Sequence, residues 1–420
     1  MKVFKKYPTA LRPDILKWIE DFKNCDLLVG VPTWNCEDSI THVVETAAEA
    51  TRKHFKDCKC AIVVSDGGSL DDTREQALAV EMPSGVERRV FIYRGIPGKG
   101  TSLRAIFETA KLLRVKACVV VDSDLRSITP EWIKLLGSPI LEKEVDFMAP
   151  NYVRHKYDGT ITNHIVYPLT RALYGKRIRQ PIGGDFGLSG DLAAFYIGED
   201  VWDTDVARFG IDIWMTTSAI CEGYRTGEVN LGVKIHDAKD PASDLPPMFN
   251  QVISTLFYLM GKYEQTWMKI DGSEPNPMFG NVENHNRPES VPVTKSRLLA
   301  EFCDGYDHFQ GLYKTVLQHE NYTELGKIVE SAKESGKVEM SHEWWASVLY
   351  DFSFTYQTWN RNRRRLVGIM TPLYFGRVAG YTGEVDNLDS AEAEDVINAQ
   401  AEVFEKKKGY LRNRFTEWLD

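Results

Sequence analysis

The sequence predicts an α/β protein, with a mainly parallel, doubly wound sheet and flanking helices followed by a C-terminal helical domain. Three observations carry that expectation. Short apolar runs of strand length recur at 26–32, 60–64, 89–93 and 117–121. Stretches with helical periodicity separate them, and such alternation is built by crossovers that leave the strands parallel. From 294 to 420 the pattern turns helical and aromatic, with Trp344, Trp345, Phe352, Phe354, Tyr356 and Trp359 close together.

Taken in order, residues 2–24 read as an amphipathic helix, and the first strand after it is stopped by Pro32. A helix is expected over 39–55, with Asp38 or Ser39 as its cap. The second strand, 60–64, runs into the turn-rich Ser65-Asp66-Gly67-Gly68-Ser69, and the third occupies 89–93. A helix over 101–113 feeds the fourth strand, 117–121. Further on come a helix near 130–141, a strand near 146–152 and a helix near 162–173. A glycine-rich stretch at 180–185 precedes a strand at 228–235 that ends at His236, where the sheet is expected to finish. Proline, asparagine and glycine mark 274–292 as a linker. The expected division is therefore a catalytic domain at 1–275 and a linker with a mostly helical domain at 276–420.

Composition narrows the function. With 420 residues, 43% hydrophobic and 26% charged, the chain can bury a sizeable core. Its net charge of -9 argues against a nucleic-acid partner, whose phosphates would demand a basic face. The seven cysteines are scattered, and Cys58-Lys59-Cys60 is too tight for a zinc knuckle, so reduced thiols are expected. No apolar stretch follows the amino-terminal lysines, and the most apolar later run, 252–260, is far shorter than the ~20 residues of a membrane span. The expectation is a soluble cytoplasmic protein with no membrane partner.

Chemistry concentrates at the strand exits, the edge where open α/β sheets bind ligands. Asp122-Ser123-Asp124 directly follows the fourth strand, and two carboxylates at i and i+2 turn to one side, where a hard divalent cation fits. On its own such a pair often only caps the next helix. Pro32-Thr33-Trp34-Asn35 leaves the first strand, Asp66 the second, and Gly98-Lys99-Gly100 precedes the helix before the pair. For a nucleotide sugar, the turn after Pro32 frames a base and Asp66 accepts bonds from base or ribose. Lys99 offers charge to phosphate oxygens, Asp124 binds the metal and Asp122 contacts ribose or a metal-bound water. His236 is a further candidate ligand. The plainer readings are a turn-forming Asp66, a solvated loop Lys99 and a hydrogen-bonded strand-end His236.

In this order, the sets at 32–35, 65–69, 98–100, 122–124, 180–185 and 229–236 resemble nucleotide-sugar-dependent glycosyltransferases of the GT-A fold. The nearest resemblance is to the retaining enzymes that make glucosylglycerate, glucosyl-3-phosphoglycerate and mannosylglycerate, and it spans about 29–260. It implies Mg or Mn on Asp124 and His236, nucleotide contacts from Lys99 and Asp122, and sugar contacts from Gly183, Gly184 and Asp185; the strand-exit reading adds Pro32, Asn35 and Asp66 to the expected nucleotide contacts. Asp212 matches an acidic position near sugar and acceptor, which with Asp122 and Asp124 completes the expected catalytic set; the alternative for Asp212 is a helix cap. Cys36 and Asp185 depart from the glutamates usual in these relatives.

A third departure concerns the acceptor. Relatives that use phosphoglycerate hold its phosphate with a Gly-Arg-x-Thr turn, whereas this chain has Gly159-Thr160-Ile161-Thr162. A lost guanidinium–phosphate contact costs about 1.5–3 kcal/mol, which favours an unphosphorylated acceptor such as D-glycerate. Arg154, Thr160 and Thr162 are the expected acceptor residues, with His155 beside them. Arg361, Arg363, Arg364 and Arg365 either cover the acceptor pocket, form an oligomer contact or are a solvated helix face. A homo-oligomer is expected, a dimer above others. The donor base (UDP, GDP or ADP) and the sugar, glucose or mannose, stay open. A 3-phosphoglycerate acceptor and an inactive sugar-nucleotide-binding protein are the alternatives.

Overall fold

The computed structural model describes residues 7–236, 245–281 and 287–419. The chain divides into two compact units, drawn from the described residues of Met1–Val153, Gln180–Asp237 and Asn276–Pro288, and of Arg154–Arg179, Ala238–Pro275 and Glu289–Asp420. The expected division at 275/276 follows the sequence order, whereas 154–179 and, among the described residues, 245–275 belong with the helical unit. Buried polar ties show why. Trp345 Nε1 donates to His164 O at 2.8 Å, Gln400 Nε2 to Asn163 O at 2.9 Å, and Lys408 Nζ to Leu173 O and Ile270 O at 3.2 and 2.6 Å.

The first unit opens with α1 (Pro13–Phe22), which carries proline in its first turn. The expected helix from residue 2 is thus much shorter, and residues 2–6 lie outside the described part. Tyr7 to Arg12 instead lie along other elements: Ala10 N donates to Glu108 and Arg94 N to Ala10 O at 2.8 Å. Then follow β1 (Leu27–Thr33), α2 (Glu37–His54), β2 (Cys60–Asp66), α3 (Thr73–Ala79), β3 (Glu87–Ile92), α4 (Lys99–Leu112), β4 (Ala117–Val120), α5 (Pro130–Leu141) and β5 (Phe147–Val153). β1 and β2 are buried at every position, as strands covered on both faces must be. Leu27, Val29, Val31, Ile62 and Val64 share a core with Ile40, Val43 and Val44 of α2 and Trp132, Ile133 and Leu136 of α5.

Next come α6 (Tyr167–Tyr174), β6 (Lys176–Arg177), β7 (Phe186–Ser189), α7 (Gly190–Gly198), α8 (Ile211–Cys221), β8 (Thr226–Val233), α9 (Pro246–Lys262), α10 (Glu264–Trp267), β9 (Glu274–Pro275) and β10 (Met278–Asn281). The sheet has eight strands in the order β10-β8-β5-β7-β4-β1-β2-β3. It is mainly parallel, and β7 alone among the described strands pairs antiparallel, with β4 and β5. This strand was not expected from sequence. The sheet also continues past His236, because β10 adds to β8 from within the expected linker.

The helical unit holds α6, α9, α10, the small β6–β9 pair, and α11 (Lys295–Val316), α12 (His319–Ser335), α13 (His342–Thr358), α14 (Arg363–Glu384) and α15 (Ser390–Leu419). The helix expected near 162–173 begins as a π-helical turn, Thr162–Val166, before α6. Trp344, Trp345, Phe352 and Tyr356 are buried along α13. Arg363, Arg364 and Arg365 lie exposed in the first turn of α14, with the Arg363 guanidinium 5.0 Å from the Tyr356 ring centre.

Candidate active site

The exits of β1, β2, β4 and β8 share one edge of the sheet. Because β7 runs against its neighbours, its beginning reaches that same edge and brings Gly183-Gly184-Asp185 to Asp122. The approach is tight: Gly184 has φ +94°, and a Cβ there would lie 2.1 Å from Asp122 Oδ2, so only glycine fits.

Asp122 is held from both sides. Lys99 Nζ lies 2.8 Å from its Oδ1 and Lys234 Nζ 3.1 Å from its Oδ2. Burial opposes ionisation, yet the two ammonium groups keep the carboxyl well below the usual carboxylate range. Lys99 also donates to Asp212 Oδ2 at 3.1 Å. Burial pushes the lysine down, but Asp122 and Asp212 outweigh it and leave Lys99 firmly charged. Burial raises the Asp212 carboxyl, only partly offset by Lys99, and its Oδ1 is buried without a hydrogen-bond partner.

Lys99, expected just ahead of the helix as a phosphate contact, is the first residue of α4, and its ammonium faces carboxylates with only 16% of the side chain exposed. The next residue explains the placement: a Cβ on Gly100 would lie 1.8 Å from Val206 O, so α4 starts directly against the backbone that leads to Asp212. Asp212 sits in the first turn of α8 with its side chain turned to Lys99.

Asp124 is half-buried. Burial and Asp122 raise its carboxyl, while Lys234 and His236 pull it back. Two hydrogen bonds tie the segment after Asp124 to the one before His236: Arg126 N donates to Ile235 O at 2.9 Å, and Ile235 N to Ser127 Oγ at 2.9 Å. One carboxylate and one imidazole suit Mg or Mn as a partial ligand set. Among the described residues no group of three or more His, Cys, Asp or Glu is placed to hold a metal alone.

Two expected ligand contacts are engaged inside the protein. Asp66 is buried, with Oδ1 accepting from Gly68 N and Ser69 N at 2.7 and 2.9 Å and Oδ2 from Ser69 Oγ at 2.5 Å, which is the turn-forming arrangement. Asp185 is likewise buried and accepts from Asp122 N at 2.7 Å, Lys234 Nζ at 3.0 Å and the Tyr152 hydroxyl. Asn35, at φ +51°, ties two loops: its N donates to Ser69 Oγ at 2.8 Å, and its Oδ1 accepts from Leu70 N at 2.9 Å. Pro32 lies in β1 beside Ser65 of β2, and Trp34 just beyond is 65% exposed.

The cap of α2 is Cys36, not Asp38 or Ser39, which lie in the first turn. Ser39 Oγ donates to Ser123 O at 2.8 Å and Ser123 Oγ to Cys36 Sγ at 3.1 Å, pinning the acidic turn. All seven cysteines are free thiols.

The expected acceptor residues lie in the helical unit. Thr160 is buried, with its hydroxyl 2.5 Å from that of Tyr374, and Thr162 is buried in the π turn. Arg154 Nη1 pairs with Asp158 at 3.3 Å, and an added Cβ on Gly159 would lie 3.5 Å from it. An arginine therefore sits against the Gly159 turn although position 160 lacks one. Burial and Lys156 push His155 below the usual imidazole range.

Residues 28–195 match glycosyl transferase family 2. The matching segment runs from β1 into α7 and holds Asp66, Lys99, Asp122, Asp124 and Asp185, whereas Asp212, Lys234 and His236 lie beyond it. Crystal structures of glucosyl-3-phosphoglycerate synthase from Mycobacterium tuberculosis are similar. The one with Mg2+ and UDP is 24% identical at a TM-score of 0.45, covering 58% of this chain and 83% of that one. The one with phosphoglyceric acid is 25% identical at 0.44, covering 60% and 87%. The one with Mn2+, UDP-glucose and phosphoglyceric acid is 24% identical at 0.44, covering 61% and 86%. No curated protein matches the chain.

Sequence reasoning missed Lys234 and Tyr152. The signal for Lys234 was present: a lysine closing the apolar run before His236 must find counter-charges if the strand end is buried.

Proposed function

We propose that this chain is a retaining glycosyltransferase that moves glucose or mannose from a nucleoside-diphosphate sugar to D-glycerate with Mg or Mn. The observation that supports it is the Lys99–Asp122–Lys234 cluster beside Asp124 and His236, at strand exits of a segment that matches a glycosyltransferase family. Asp124 and His236 hold the cation, which supplies charge neutralisation at the diphosphate leaving group. The turn at Pro32, Trp34 and Asn35 frames the base. Asp122 takes the ribose or sugar hydroxyls, and Gly183 and Gly184 let the sugar approach. Lys99 orients Asp122 and Asp212 rather than meeting phosphate directly. Asp66 and Asp185 act through the loops they hold.

Each oxygen of Asp122 faces an ammonium group, which blunts that carboxylate as a nucleophile, so attack from the leaving-group face is the course we favour over a covalent intermediate. The C1–oxygen bond to diphosphate breaks, the acceptor oxygen bonds C1, and a diphosphate oxygen takes the acceptor proton. An α product is expected, and a β product overturns this course.

The Arg154 guanidinium against the Gly159 turn favours the second reading, a 3-phosphoglycerate acceptor, because a guanidinium there suits phosphate as well as carboxylate. A matrix of UDP-, GDP- and ADP-sugars against D-glycerate and 3-phosphoglycerate, with each metal, decides between them by product formed. Asp124→Ala should lose at least about 100-fold in turnover. Full activity in that variant, or no transfer in any cell of the matrix, overturns the enzyme reading. No helix among the described residues is long and apolar enough to cross a membrane.

A further inference from the structure

Lys234 follows the last residue of β8 and is almost wholly enclosed, with 3% of its side chain exposed. An ammonium has three donors, and three acceptors surround this one: Asp122 Oδ2 at 3.1 Å, Asp185 Oδ2 at 3.0 Å and Gly183 O at 2.9 Å. The Tyr152 ring centre lies 5.0 Å away, and Tyr152 itself donates to Asp185. Asp122 Oδ1 meets Lys99 on the opposite side, at 2.8 Å. Each oxygen of the first carboxylate in the Asp-Ser-Asp turn therefore faces an ammonium group. A cation must come within about 2.0–2.6 Å of a carboxylate oxygen to be bound, and on Asp122 it would meet two fixed positive charges.

We propose that Lys234 is a positioning residue that, together with Lys99, clamps Asp122 out of the metal's coordination shell and so reserves the cation for Asp124 and His236. This rests on the reading of the chain as a metal-dependent transferase. Asp122 is left as a fixed acceptor for hydroxyl groups. The loop at Gly183–Gly184 is held over it by the same ammonium, so one side chain sets both the roof of the site and the division of labour between its two carboxylates.

The test is direct titration of full-length protein with Mn2+ alone, read by the electron paramagnetic resonance of the free ion, with thermal unfolding alongside. Lys234→Met frees Asp122 and should bind Mn2+ at least about tenfold more tightly than the wild type, since one more carboxylate joins the ligands. Adding Asp122→Asn to it should return the affinity to the wild-type level, and Lys234→Arg, which keeps the charge, should not show the gain. A role in packing alone predicts a lower melting temperature with unchanged or weaker Mn2+ binding. That result overturns the proposal, as does an equal gain in Lys234→Arg. Should Lys234→Met fail to fold, Lys99→Met opens the clamp from its other side, and an unchanged affinity there overturns the proposal. A wild-type chain that transfers no sugar would sink the transferase reading, while these titrations would still decide what Lys234 does.

Discussion

Asp351 in the helical unit and Asp212 in the sheet unit are both buried helix carboxylates, and burial raises both above the usual carboxylate range. Their surroundings differ. Asp351 accepts from Gln318 N at 2.9 Å, Asn321 Nδ2 at 2.7 Å, the Tyr410 hydroxyl at 2.6 Å and Arg414 Nη1 at 2.7 Å, which joins the start of α12 and the end of α15 to α13. Asp212 has Lys99 on one oxygen and nothing on the other. A carboxylate supplied with every donor it can use is a fastening. One left half-supplied in a buried place costs stability that packing does not explain, as expected where a ligand is to complete it.

The comparison is broken or sharpened first at Asp351. Asp351→Ala strands the Arg414 charge and should cost about 3–5 kcal/mol in urea unfolding, with turnover per folded molecule unchanged. Loss of activity without loss of stability would reverse the assignment. Asp212→Asn should do the opposite: turnover falls about 100-fold, while the unfolding midpoint holds or rises because a buried charge is gone. A midpoint that drops as far as that of Asp351→Ala would make Asp212 a fastening too. Gly184→Ala forces a Cβ onto Asp122 at a positive φ, and should cost about 1–3 kcal/mol together with much of the donor affinity.

The smallest effect concerns a third carboxylate. Burial opposes ionisation of Glu384, but His342 and the buried Arg377 outweigh it and bring its carboxyl down from 4.5 to about 2. A group depressed on folding adds stability above its unfolded value and loses it as pH falls toward its folded one. Melting temperature should therefore decline from about pH 4.5 to about 2, less steeply in Glu384→Gln. Equal slopes in the two proteins would remove Glu384 from the account.

Where the sequence was legible, it was so through continuous apolar runs. β1, β2 and β4 were expected within a few residues because both faces are covered and no polar position interrupts them. The Asp122–Asp124 turn and Lys99 were singled out because carboxylates and lysine at strand exits are conspicuous, whereas Asp212 came only from the family resemblance. Short edge or reversed strands were not: β7 has four residues, and β10 lies in a stretch whose proline and glycine read as linker. Nor could sequence say that Asp66 would satisfy itself within its own loop while Asp122 would be matched by distant lysines. One is settled by neighbours two and three residues away, the other only by the folded sheet.

That distance sets the order in which the molecule acquires its parts. Asp122 meets Asp185 across 63 residues of chain and Lys234 across 112, and Lys99 meets Asp212 across 113. Loop closure over such spans precedes any gain from the contacts, so the charge cluster forms only once β4, β5, β7 and β8 have all paired. On refolding, nucleotide affinity should return after the strands have registered, and a chain arrested before β8 would hold Asp122, Asp124, Asp185 and Asp212 at an unfinished rim with Lys99 but without Lys234 to offset their charge.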